Sequence, residues 1–129
     1  MSKNKYTGTI NIGLQKGYTG EYYTKAEYVA YIQNWQLERS ADHQLMFSPG
    51  IYEFDFVCGN LTEKHLAIRF INYPGSVVKK KKHFRKTVTA LAGLLAKTFS
   101  QNRVLIEYSD QNILLESTDG YDKKSGRKK

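Results

Sequence analysis

The chain of 129 residues has a single cysteine, Cys58, so no internal disulfide can form. A lone thiol in an aromatic, strand-like run reads as a buried cysteine in a reducing compartment, and no histidine or basic neighbour marks it as a nucleophile. No apolar stretch is long enough for a signal peptide or a membrane span, so a cytoplasmic protein is expected. Glycine-rich phosphate loops of the Walker or Rossmann kind are missing, and so is a G-x-S-x-G elbow. His43, His65 and His83 fall in a loop, a turn and a helix start, a spacing that matches no metal site. Neither a metal nor a cofactor is expected. Catalysis lacks a positive signal, and the balance leans against an enzyme. Its only candidates are Glu53, Asp55 and His65. The first two share one strand face opposite Tyr52, Phe54 and Phe56, where carboxylates would solvate an open sheet face.

Positive charge is abundant. The net charge is +8, and eleven of the twenty Lys and Arg lie in two short segments. One holds Lys79, Lys80, Lys81, Lys82, Arg85 and Lys86 around His83; the other holds Lys123, Lys124, Arg127, Lys128 and Lys129. The first segment falls where an amphipathic helix begins. That is the wrong sign for the site, since each cation at a helix amino terminus costs on the order of 0.3–1 kcal/mol at low salt. Free backbone N–H groups point at the same place, so the cluster suits an anion.

Periodicity outlines the elements. Ile10, Ile12 and Leu14 alternate as in a half-buried strand, and a Gly-rich turn at 16–20 ends it. Thr24 and Glu27 have capping-box spacing, and Tyr28, Tyr31, Ile32 and Trp35 follow at helical spacing, predicting a helix over 24–38. Tyr52, Phe54 and Phe56 predict a second strand, Gly59-Asn60 a hairpin turn, and Leu66, Ile68 and Phe70 a third strand. Phe84, Val88, Leu91, Leu95 and Phe99 predict a second helix over about 80–100. Val104, Ile106 and Tyr108 form a fourth strand, and residues 113–116 offer a fifth.

The order β-α-β-β-α-β resembles the ferredoxin-like arrangement. It implies an α+β sandwich: a four-stranded antiparallel sheet with two helices on one face, and room for a fifth strand. One domain over 1–116 is expected, with a disordered basic tail over 117–129. The resemblance is architectural and carries no activity with it.

The segment 18–25 combines glycines with Tyr18, Tyr22, Tyr23 and Lys25, and leads into a capped helix start. Tyrosines offer flat faces to a base, worth roughly 1–3 kcal/mol per stacked base. Arg69, on a central strand, can reach a phosphate from the open sheet face. The expected ligand-binding set is therefore Tyr18, Tyr22, Tyr23, Lys25, Arg69, Lys79, Lys80, Lys81, Lys82, His83, Arg85 and Lys86. Together they read as a non-enzymatic binder of a small phosphorylated ligand, a nucleotide or signalling nucleotide, held between subunits of a homo-oligomer. Sequestration of such a ligand has its analogy in viral counter-defence proteins. The alternatives are an RNA- or DNA-binding module that uses the basic cluster and tail, and a small enzyme with a carboxylate-based site.

Overall fold

Alternating isoleucines and valines build one wall of the core. In the computed structural model, which describes residues 7–17, 19–41, 48–71 and 81–116, five strands form one antiparallel sheet. They are β1 (Thr7–Gly13), β2 (Gly50–Cys58), β3 (Leu61–Ile71), β4 (Arg103–Tyr108) and β5 (Asn112–Glu116), in the order β2-β3-β1-β4-β5. Register places Ile51, Ile68, Ile10, Ile106 and Ile113 in one row across all five strands. Its three central members are fully buried. A row of β-branched side chains fits a pleated, covered sheet face, and each fully buried one contributes roughly 1.5–3 kcal/mol.

Two helices cover that face. Helix α1 (Lys25–Ala41) is inserted between β1 and β2, and α2 (Lys81–Thr98) between β3 and β4. Tyr28, Ile32 and Trp35 of α1 and Phe84, Val88, Leu91 and Leu95 of α2 enter the same core cluster as Ile10, Ile12, Leu66 and Phe70. The capping box at the start of α1 is formed: Glu27 N–H donates to Thr24 Oγ1 (3.2 Å), and Thr24 N–H donates to Glu27 Oε1 (2.8 Å). Gly59, at φ 63°, supplies the first central residue of the two-residue β2–β3 turn, where a type II′ hairpin needs glycine. Gly8 has a different reason, since a Cβ there would stand 2.7 Å from the Tyr108 ring.

The fifth strand that the sequence offered is present and pairs with β4 from Arg103↔Glu116 to Glu107↔Asn112, and the sequence-based outline changes on β2. Ile51 faces the core, so Glu53 and Asp55 lie on the helix-covered side of β2, and Tyr52, Phe54 and Phe56 point to the open side, the reverse of the expectation. Tyr52 is 49% and Phe56 44% exposed, because among the described residues no helix covers their face. Cys58 is exposed rather than buried, as the last residue of an edge strand beside its hairpin turn. Tyr18, Lys79, Lys80 and the tail at 117–129 lie outside the described residues. Among the described residues no helix is long and apolar enough to cross a membrane.

Candidate functional site

The central strand β1 ends before its neighbour does. Its pairing with β3 stops at Gly13↔His65, while β3 extends back to Leu61 with β2 alone beside it, save for one bond from Leu14 N–H to Lys64 O (3.1 Å). A cleft of about 290 Å³ opens at this notch. Gly13, Gln15 and Tyr22 form one side, Glu63 and His65 of β3 another, and the α2–β4 connection at Ser100, Gln101 and Arg103 closes the third.

The α2–β4 connection is shaped by the way α2 stops. Gln101 N–H bonds Ala96 O (2.9 Å) across Ser100, which takes the left-handed φ of 55°, giving a Schellman-type end with serine where glycine is usual. A left-handed L-residue costs roughly 1–2 kcal/mol, and strain of this kind is found at functional sites. The turn delivers the buried Gln101 amide to the cleft floor, where its Nε2 donates to Gln15 O (2.6 Å) and Phe99 O (2.9 Å). Gly13 leaves room for it, because a Cβ there would lie 2.6 Å from Gln101 Oε1. Beneath, the buried Tyr28 hydroxyl donates to Gly13 O (2.8 Å), and burial pushes its pKa far above the ordinary phenol value.

His65 is the chemically distinctive residue. The sequence placed it in a turn, but it sits on β3, with Phe56 edge-on at 4.7 Å and Phe54 at 5.8 Å between ring centroids. Its Nδ1 is buried and has no hydrogen-bond partner. Burial lowers its pKa, opposed by backbone groups of Glu63 and Lys64 and by the Glu63 carboxylate. The lowered pKa favours the neutral imidazole at pH 7, and Nε2, the nitrogen nearer to Gly13, is the one on the cleft side. Glu63 is the carboxylate on the same strand face, two residues away.

The expected site residues separate into two groups. Tyr22 is 54% exposed and lines the cleft. Tyr23 packs on Phe99 (4.9 Å between centroids) and lies under Lys16, and Lys25 is an exposed first residue of α1. Arg69 lies on the open sheet face, in register with Thr9 and Glu107. Lys81, Lys82, His83, Arg85 and Lys86 occupy the opposite end of α2, about 18–26 Å from its last residue along the 18-residue helix. There Asp110, in the β4–β5 turn, pairs with Lys81 (3.4 Å) and with Arg85, whose guanidinium stacks over Tyr108 at 4.8 Å. The two cations hold the Asp110 carboxyl below its usual range, the Arg85 hydrogen bond being the largest cause. Among the described residues no group of three His, Cys, Asp or Glu could hold a metal ion.

No protein-family model and no curated protein sequence matches the chain. Two solved structures do, both of a phage S-adenosylmethionine (SAM) lyase. One is the apo state, and the other is the complex with S-methyl-5′-thioadenosine. Each aligns with a TM-score of 0.62 and 18% identity over 88% of this chain, and over 90% and 91% of the lyase respectively. At this identity the likeness is one of fold: the chain has an architecture that a phage SAM lyase also has.

Proposed function

We propose that this chain binds a nucleoside-bearing small ligand of the S-adenosylmethionine type in the Gly13–His65–Gln101 cleft and cleaves its carbon–sulfur bond. The observation that carries the reading is the juxtaposition of Glu63, His65 and Tyr22 in one cleft, with Phe56 packed edge-on against the imidazole. A sulfonium is a fixed cation, and a carboxylate and aromatic rings are what attract one. Hydrogen-bonding groups for the nucleoside come from Gln101 and His65 at the cleft wall. S-methyl-5′-thioadenosine is what remains when the four-carbon amino-acid arm leaves the sulfur of S-adenosylmethionine. The electron pair of the broken bond stays on sulfur and cancels its charge. The departing carbon closes on its own carboxylate or gives up a neighbouring proton, so no water is consumed. Loss of charge is favoured where the cation is poorly hydrated.

The strand order β2-β3-β1-β4 supports the ferredoxin-like reading of the fold. The cleft lies at the small end of ligand pockets, which hold about 300–1,000 Å³. Its open neighbour is the uncovered aromatic sheet face, which supports a homo-oligomer whose second copy encloses the ligand. A cytoplasmic location belongs to the same proposal. A phosphorylated nucleotide held without turnover is the second reading, favoured by Lys64 and Arg103 at the cleft.

Calorimetric titration with S-adenosylmethionine, S-methyl-5′-thioadenosine and ATP separates these readings. The proposal expects Glu63→Gln to weaken the sulfonium ligand by about tenfold and the neutral thioether much less, since one charge contact is lost. Binding of ATP alone would move the function to the second reading.

A further inference from the structure

We infer that the amino-terminal end of α2 is a contact surface for the backbone of duplex nucleic acid, separate from the cleft and used independently of it. The sequence of α2 holds no Asp or Glu, and its first six residues carry Lys81, Lys82, His83, Arg85 and Lys86. Among the described residues one carboxylate, Asp110, pairs with this group, through Lys81 and Arg85. Lys82, His83 and Lys86 are exposed, and no described residue pairs with them. Lys82 and Lys86 are four apart and share one face of the helix, at a spacing that sets cations side by side toward solvent.

The base of the patch is rigid. Arg85 is only 17% exposed, stacks over Tyr108 and ion-pairs with Asp110. The Tyr108 hydroxyl donates to Arg85 O (2.9 Å) and so accepts from Thr89 Oγ1 (2.7 Å). Like charges crowded at the positive end of a helix dipole oppose folding, and counter-charges from a partner relieve that cost. The partner is therefore a polyanion, which the chain's net charge of +8 also attracts at long range. Among the described residues the patch has no exposed stacking platform, since its own Phe84 and the Tyr108 ring under Arg85 are both buried. Single-strand binders stack bases on exposed aromatics, so a surface of cations alone fits phosphates of a duplex, read without sequence preference.

The test uses the full chain and a 20-base-pair DNA duplex, with affinity measured by fluorescence anisotropy between 25 and 200 mM salt (about 19 to 7 Å of screening length). K82E/K86E removes two phosphate contacts, and the salt slope is expected to flatten by about 1.8, at roughly 0.9 per contact. Affinity at low salt is expected to fall more than about tenfold, with titration of S-methyl-5′-thioadenosine unchanged. Acidic residues suit a helix start, so this variant is expected to fold at least as well, and K82Q/K86Q provides a milder pair. An unchanged slope and affinity in both variants would overturn the proposal, as would a wild-type chain that ignores the duplex at 25 mM salt.

Discussion

His65 couples the cleft to pH. Its folded pKa is lowered from 6.5, chiefly by burial between Phe54 and Phe56, with Glu63 opposing. The unfolded chain takes up this proton first as pH falls below about 6.5, so folding stability declines from there toward the lowered folded value. Urea unfolding at pH 7.5 and 5.5 measures it. The wild type is expected to lose more stability over that window than His65→Gln, in which this contribution is absent. The opposite ordering would mean that the imidazole accepts a proton readily in the folded state. Gln101 and Ser100 matter at the same scale, because a serine held at φ 55° fixes where the amide of the following residue points.

Among the elements, α2 offers a clean measure of how packing and propensity divide the work. Gly93 lies in its interior, and a Cβ added there would meet nothing within 4 Å. Gly93→Ala is therefore expected to raise stability by roughly 0.5–1 kcal/mol, read from the urea midpoint, with ligand binding unaffected. Both helices were legible from apolar spacing, with ends displaced by one to three residues: 24–38 became Lys25–Ala41 and about 80–100 became Lys81–Thr98. The capping pair Thr24 and Glu27 was legible because its chemistry is local. Strand β2 was harder. Period-2 alternation shows that Tyr52, Phe54 and Phe56 share a face, but only pairing with β3 shows that the face is the uncovered one. His65 was named as a catalytic candidate, but its place on a strand was missed because alternation was followed from Leu66 onward, whereas β3 begins at Leu61. The pattern Glu63, His65, Ala67, Arg69 was the available signal.

At the scale of the whole molecule, the cleft draws on β1, β3, the loop before α1 and the α2–β4 connection, segments up to 90 positions apart (Gly13 to Arg103). No local pattern could announce it, since it exists only because β1 stops where β3 continues. The basic cluster was conspicuous in the sequence for the opposite reason, being contiguous, and it stands at the far end of α2 from the cleft. The open sheet face, with Tyr52, Phe56 and Leu114 each about half exposed, is expected to meet a second copy. Sedimentation should then give a mass above the 14.9 kDa monomer, and Leu114→Asp should lower it. A wild-type monomer at every concentration would remove the enclosed-ligand geometry. The most direct test of the central claim is to incubate the purified protein with S-adenosylmethionine and follow substrate and products by mass. The account predicts S-methyl-5′-thioadenosine accumulating over many turnovers, and much more slowly with Glu63→Gln. Substrate recovered intact, with none retained by the protein on dialysis, would contradict it.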